Sequence, residues 1–125
     1  KKDISVLVSR MPDFLREVDE LVASRYPDFE LVWYGHIGDG NLHLNILKPE
    51  HLSAQDFVAR CVPVSSEIGQ LLAKYEGSVS AEHGVGLLKK DYLHYSRSPL
   101  ELELMKPVQK VFDPNAILNP GKLFD

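Results

Sequence analysis

Residues 34–45 read Tyr34-Gly35-His36-Ile37-Gly38-Asp39-Gly40-Asn41-Leu42-His43-Leu44-Asn45. An Asp-Gly pair between two apolar segments is typical of a β-hairpin closed by a two-residue type I′ turn. Such a turn at Asp39-Gly40 predicts that His36 lies directly opposite His43, and Tyr34 opposite Asn45. Directly opposed residues on one face of a hairpin have Cβ atoms about 4.5–5.5 Å apart. The stretch therefore predicts a hairpin that brings two imidazoles together.

The two faces of this hairpin differ in polarity. Side chains alternate between faces along a strand, so Tyr34, His36, His43 and Asn45 share one face. The other face is predicted to be apolar and to pack on helices, and it carries Trp33, Ile37, Leu42, Leu44 and Ile46. A polar face backed by an apolar one gives ligand side chains a rigid scaffold.

The segments around the hairpin predict an α+β fold. A β-branched segment (Ile4–Val8) and a helix that begins at Pro12 precede the hairpin. A second helix, capped by Ser53 and expected to be kinked or divided at Pro63, follows it. A short strand is then expected at Ser78–Ala81. The order β-α-β-β-α-β is that of a ferredoxin-like (split βαβ) antiparallel sheet covered by helices.

A C-terminal helical extension completes the predicted fold. Ser98 is a favourable N-cap, Pro99 suits the first helical position, and Glu101 completes a capping box. The apolar residues of this helix form a stripe at helical spacing: Leu104, Met105, Val108, Val111 and Phe112. Because the sequence contains no repeat, linker or low-complexity segment, we expect a single domain over residues 1–125.

Composition restricts the class of partner. The chain has 125 residues, 44% hydrophobic and 26% charged, with a net charge of −4. Both signs are interspersed, which argues against nucleic acid or an anionic membrane as partner. No apolar segment approaches the roughly 18–20 residues of a membrane span. The single cysteine, Cys61, favours a reducing compartment, so we expect the cytoplasm, or the mitochondrial matrix in a eukaryote.

A second polar segment offers further ligands for a metal. Ser80-Ala81-Glu82-His83-Gly84-Val85-Gly86 supplies a carboxylate and an imidazole in a glycine-containing loop. Two histidines and one carboxylate, with one coordination position left open, is the catalytic pattern for zinc, and manganese, iron or cobalt would also fit. Two other interpretations stay open: the paired histidines as hydrogen-bonded strand residues, and Glu82-His83 as part of a solvated loop.

Three blocks of the sequence resemble the C-terminal (cap) region of the FAD-linked oxidases. This family includes D-lactate dehydrogenases, glycolate oxidase subunits and D-2-hydroxyglutarate dehydrogenases. The blocks are residues 34–45, Ser78–Gly86 and Asp113–Lys122, and they occur in the family's order. The family usually has Val-Pro or Leu-Pro in the first strand, whereas this chain has Val6-Leu7-Val8.

The resemblance implies roles for eight residues. His36, His43 and Glu82 match the metal ligands of the family, and His83 matches the histidine proposed as the base. The remaining four match positions that face the substrate or the flavin domain: Asn45 and Lys1 for substrate, Asn119 and Lys122 for the tail that returns to the flavin domain.

The function implied by the resemblance is that of an FAD-dependent 2-hydroxy-acid dehydrogenase or oxidase. The expected cofactors are FAD and a divalent metal, with zinc favoured. The expected partners are a small 2-hydroxy acid, an electron acceptor, and the protein's own FAD-binding domain. Because that domain is N-terminal in the family and absent from residues 1–125, the isolated fragment is expected to be inactive. The alternatives are a non-catalytic metal-binding or docking module, and a self-contained metal hydrolase with Glu82 or His83 as base.

Overall fold

A three-stranded antiparallel sheet organises the computed structural model, which describes residues 1–124. The strands are β1 (Lys2–Ser5), β2 (Glu30–His36) and β3 (Asn41–Leu47), in the order β1-β3-β2. Four α-helices accompany the sheet: α1 (Met11–Arg25), α2 (Ala54–Lys74), α3 (Gly86–Lys89) and α4 (Pro99–Phe112). These elements confirm the predicted α+β fold.

One face of the sheet carries the hydrophobic core. Ile4, Leu42 and Leu44 are buried on this face, because alternate residues of β1 and β3 point toward the helices. Helices α1 and α2 cover them with seven buried apolar side chains: Met11, Phe14, Val18, Val22, Val64, Ile68 and Leu72. The opposite face of the sheet is therefore free to carry polar side chains.

The predicted fourth strand is reduced to a single bridge. Ser5 and Ser78 exchange backbone hydrogen bonds of 3.0 and 2.8 Å along the outer edge of β1. The Ser78 hydroxyl both donates to the Ser80 carbonyl and accepts from the Ser80 N–H, which turns the chain after one paired residue. The order bridge-β1-β3-β2 retains the ferredoxin-like arrangement, but a strand over Ser78–Ala81 is wrong.

The hairpin turn is longer than predicted. Ile37–Asp39 forms a 3₁₀ turn and Gly40 adopts a left-handed conformation with φ of 68°. The register consequently pairs Tyr34 with His43 and His36 with Asn41. The predicted direct opposition of His36 and His43 is wrong, and Ile37 is exposed instead of facing the helices. The register differs by two residues, an even number, so His36, His43 and Tyr34 still share one face.

Both long helices after the hairpin begin as predicted. Ser53 caps α2 by accepting from the Asp56 N–H, and α2 continues through Pro63 without division. Ser98 and Glu101 form the capping box of α4. The apolar stripe of α4 is largely exposed, at Leu104, Val108, Val111 and Phe112. Within residues 1–124, no helix is both long and apolar enough to cross a membrane.

Candidate metal centre

A row of three polar side chains crosses the face of the sheet that the helices leave uncovered. His43 in the central strand pairs with Asp3 of β1 on one side and Tyr34 of β2 on the other. The His43 and Tyr34 rings lie with centroids 5.0 Å apart. Asp3 and His43 are 2% and 4% exposed, whereas Tyr34 is 46% exposed, so the row is buried at its Asp3–His43 end and open at Tyr34.

The loop after the Ser78 bridge brings two more ligand groups to this row. Glu82 Oε1 lies 3.1 Å from His43 Nε2 and 3.4 Å from His83 Nε2. The His83 ring stacks on the His43 ring with a centroid separation of 5.4 Å. Glu82 and His83 are both exposed on one side, so the cluster is buried at the sheet and open toward solvent.

His36 lies at the rim of the cluster. Its Nδ1 atom is 3.8 Å from Glu82 Oε2, and its ring centroid is 5.9 Å from that of His43. The Asn41 side-chain nitrogen lies 3.3 Å from the same His36 Nδ1 atom. The three predicted metal ligands, His36, His43 and Glu82, are thus neighbours even though the hairpin turn is longer than predicted. His36 is the most exposed of the three.

Asp3 was not predicted from the sequence as a site residue. Its Oδ2 atom accepts hydrogen bonds from the His83 N–H at 3.0 Å, the Glu82 N–H at 3.3 Å and Lys89 Nζ at 3.2 Å. Burial raises the pKa of the Asp3 carboxyl, but the His83 and Lys89 hydrogen bonds and the Lys89 charge together outweigh burial and lower it. Asp3 is therefore a buried carboxylate that fixes the loop carrying Glu82 and His83.

The donor set fits a divalent cation. Single ligand atoms of Asp3, His43, Glu82 and His83 all lie within 4.8 Å of one another. Imidazole nitrogens and carboxylate oxygens are the ligands of zinc and related first-row metals. Asp3 Oδ1 and His43 Nδ1, which are 3.6 Å apart, are buried without a hydrogen-bond partner among the described residues. Two buried polar atoms without hydrogen bonds lower the stability of the folded state, unless another interaction orients their side chains.

The remaining predicted site residues divide into two groups. Lys1 lies near the cluster, with Nζ 5.9 Å from the centroid of the Tyr34 ring. Asn45 pairs with Val32 and lies two residues along β3 from His43, on the same face. Asn119 and Lys122 are exposed in the tail after α4, and neither contacts the cluster within the described part of the chain.

Comparison with known proteins identifies similar sequences over nearly the whole chain. Residues 1–123 match the family model described as FAD linked oxidases, C-terminal domain. A D-2-hydroxyglutarate dehydrogenase of Stutzerimonas stutzeri is 59% identical over 99% of this chain and 27% of its own length. A protein of the same name from Xanthomonas citri is 54% identical over 100% of this chain and 26% of its own length.

A eukaryotic relative is also similar. The mitochondrial D-2-hydroxyglutarate dehydrogenase of Danio rerio is 37% identical over 98% of this chain and 22% of its own length. The chain thus spans about a quarter of the length of the curated relatives that it matches.

Proposed function

The chain belongs to the FAD-linked oxidase family, whose C-terminal domain it matches over residues 1–123, and from this premise we propose that it is the metal- and substrate-binding part of an FAD-dependent 2-hydroxy-acid dehydrogenase. The names of its relatives make D-2-hydroxyglutarate the proposed substrate. The observation that carries the proposal is the convergence of His36, His43 and Glu82 on the open face of the sheet, with His83 beside them.

The proposed ligands of the metal are His36, His43 and Glu82. His43 is rigidly held in the central strand, whereas His36 and Glu82 are exposed and can close on an ion by rotation of their side chains. Two histidines and one carboxylate leave a coordination position for substrate. When bound, the cation supplies Lewis-acid polarisation of the 2-hydroxyl, and FAD supplies the acceptor for the C2 hydride.

His83 is the proposed general base. It lies at the solvent-facing side of the cluster, where a substrate bound over Glu82 and His43 is within its reach. A neutral imidazole is an available proton acceptor near pH 7, and an adjacent dication disfavours the charged imidazolium. His83 therefore takes the hydroxyl proton as the C2 hydrogen departs.

Lys1 and Asn45 are the proposed substrate contacts. D-2-hydroxyglutarate carries a second carboxylate, which requires a cation or hydrogen-bond donors beyond the metal. The Lys1 ammonium lies beside Tyr34 at the edge of the cluster, and Asn45 lies along β3 on the same face. This arrangement gives the distal carboxylate a charged partner and an amide donor.

The proposed partner of the domain is the protein's own FAD-binding domain. The exposed apolar stripe of α4 supports this proposal, because a contiguous apolar face on a helix is usually covered by another domain or chain. Asn119 and Lys122, in the tail after α4, are the proposed contacts with the flavin side.

Turnover by the full-length protein tests the proposed function. With an artificial electron acceptor, we expect the highest kcat/KM for D-2-hydroxyglutarate among D-2-hydroxyglutarate, D-lactate and glycolate. Prolonged chelation should remove turnover, and addition of a divalent metal should restore it. Full turnover by protein shown by elemental analysis to be metal-free would refute the metal assignment, and absence of turnover on all three acids would refute the reaction.

A second candidate is a non-catalytic metal-binding module. The grouping of Asp3, His43, Glu82 and His83 within 4.8 Å favours it, because these four residues can close a tetrahedral site with no open position. Exchangeable water on the bound metal separates the two functions. A closed site has no water ligand, whereas the catalytic site retains one that the hydroxy acid displaces.

A further inference from the structure

The Asp3–His43 contact has two polar atoms that face each other, and neither has a hydrogen-bond partner within residues 1–124. Asp3 Oδ1 and His43 Nδ1 are both buried and lie 3.6 Å apart. Asp3 and His43 occupy directly paired positions in β1 and β3, so the backbone register fixes their separation. A proton on Nδ1 is the only arrangement that pairs both atoms, because a carboxylate oxygen is solely an acceptor.

The other ring nitrogen of His43 faces the proposed metal site. Nε2 is 3.1 Å from Glu82 Oε1, on the open side of the row. A histidine ligand that donates its second N–H to a carboxylate is held in the correct tautomer and ring orientation for coordination. Placing the proton on Nδ1 leaves the Nε2 lone pair directed at the metal.

The second oxygen of Asp3 is already fully used elsewhere. Oδ2 accepts from the Glu82 and His83 backbone N–H groups and from Lys89, which also donates to the Asp3 carbonyl at 3.0 Å. Ser80 Oγ donates to the same oxygen at 3.5 Å, and an oxygen that accepts four hydrogen bonds has little capacity left for a metal ion. The geometry of Asp3 thus favours a role behind the ligands, although its atoms lie close enough to count among them.

We propose that Asp3 is the positioning residue of the metal centre: one carboxylate oxygen orients His43 for coordination through Nε2, and the other holds the loop that carries Glu82 and His83. This proposal rests on the proposed function, since it assigns the residue behind the same metal ligands. A carboxylate suits this role because both of its oxygens can accept: Oδ2 accepts from the loop, and Oδ1 faces His43 Nδ1.

Asp3→Asn is the discriminating variant. An asparagine has one accepting edge, so it can receive either the loop N–H groups or the His43 Nδ1–H, but not both. If the amide oxygen keeps the loop, its NH₂ group opposes His43 Nδ1–H, and the ring must move its proton to Nε2. We therefore expect the dissociation constant for zinc to rise about 10–100-fold in the full-length protein, the range for loss of such a partner. Ser80→Ala is the matched control, because Ser80 Oγ also faces Asp3 Oδ2, at 3.5 Å, without contacting His43.

Two measurements test the proposal. Chelator competition gives the zinc dissociation constant of wild type, Asp3→Asn and Ser80→Ala, with only Asp3→Asn expected to weaken binding. NMR of selectively ¹⁵N-histidine-labelled, zinc-loaded wild type requires no variant, and it should show His43 coordinated through Nε2 with a proton on Nδ1. Coordination through Nδ1, or equal zinc affinity in Asp3→Asn and wild type, would overturn the role proposed for Asp3. Either result would leave the proposed function of the domain intact. Failure of the wild type to bind zinc or another divalent metal would instead overturn the proposed function.

Discussion

His43 Nε2 lies 3.1 Å from Glu82 Oε1, and at this contact the central strand of the sheet meets the loop after the Ser78 bridge. A neutral imidazole nitrogen with a free lone pair and a carboxylate oxygen are both acceptors, so the two groups repel unless a proton or a cation lies between them. The local fold should therefore be more stable when a proton or a cation lies between His43 Nε2 and Glu82 Oε1. Metal binding at this contact can consequently be measured as a change in folding stability, without substrate.

Divalent metal should stabilise the full-length protein through His43. A ligand that binds only the folded state at 100 times its dissociation constant adds about 2.7 kcal/mol of stability. We expect zinc to raise the unfolding temperature of the wild type, and His43→Ala to abolish both metal retention and this rise. Thermal unfolding and elemental analysis measure the two effects.

His51→Ala is the matched control for this prediction. His51 is an exposed histidine whose Nε2 lies 3.3 Å from Asp28, outside the cluster. It should retain the metal and the full thermal shift. A metal-dependent shift in His43→Ala as large as that of wild type would contradict the assignment of His43.

The glycines of the hairpin turn should tolerate substitution unequally. Gly40 has a positive φ of 68°, and a Cβ atom there would meet the Val6 carbonyl oxygen at 2.1 Å. Gly38, two residues earlier, has open space around the corresponding position. We expect Gly40→Ala to destabilise the domain by more than about 1 kcal/mol, since strain at a left-handed position adds to a backbone clash.

Gly38→Ala should change the free energy of unfolding by less than about 0.5 kcal/mol, as a surface substitution does. Urea unfolding of the 125-residue chain compares the two variants. Equal stability of Gly40→Ala and Gly38→Ala would show that the turn relaxes around the added carbon, and that Gly40 does not fix the register.

Gly40 also explains which part of the site the sequence predicts and which part it does not. Alternation along β2 and β3 is a local property, so the shared face of His36 and His43 was predictable. The register depends on whether Asp39-Gly40 forms a two-residue turn or the end of a longer one, and the backbone of Val6 decides this through a hydrogen bond from its N–H to the Gly40 carbonyl, 3.1 Å long. That partner is distant in sequence.

The role of Asp3 in the site also depends on residues that are distant in sequence. A carboxylate in a short N-terminal strand has no local sign of function, and its role depends on the pairing of β1 with β3 and on the path of the Glu82 loop. In contrast, the N-caps at Ser53 and Ser98 were predictable because each involves residues three positions apart.

Phe14 should be among the largest single contributors to core stability. Its side chain is fully buried in α1, and its ring contacts that of Tyr75 edge to face with centroids 5.5 Å apart. Truncation to alanine removes this contact and leaves a cavity, so we expect Phe14→Ala to cost about 3–5 kcal/mol. Leu88→Ala, at a position that is 90% exposed, should cost little. Similar losses in the urea unfolding of both variants would contradict the assigned core.

Glu17 should make stability depend on acid pH. Hydrogen bonds from Lys74 and Tyr75 lower the pKa of the Glu17 carboxyl below its ordinary value of 4.5. A depressed folded-state pKa gives stability that is present above about pH 4.5 and lost as the pH falls through the folded value. We therefore expect Glu17→Gln to lower the urea midpoint at pH 7 and to have a smaller effect at pH 3.

Glu103→Gln, which changes an exposed carboxylate on α4, is the control for Glu17→Gln. It should leave the difference between pH 7 and pH 3 as it is in wild type. A Glu17→Gln variant that follows the wild-type pH dependence would show that the contact between α1 and the end of α2 contributes no stability.

His83→Ala and His36→Ala should separate the proposed proton transfer from metal binding in the full-length protein. His83 lies 3.4 Å from Glu82 Oε1 but is assigned as base, so its removal should leave the metal content unchanged and lower kcat about 10²–10⁴-fold, the usual contribution of general base catalysis. His36, assigned as a ligand, should lose the metal and the activity together. The decisive measurements are the metal content of both variants by elemental analysis and their kcat with D-2-hydroxyglutarate. Loss of the metal from His83→Ala, with its retention in His36→Ala, would exchange the two roles, because the ligand must then be the imidazole stacked on His43.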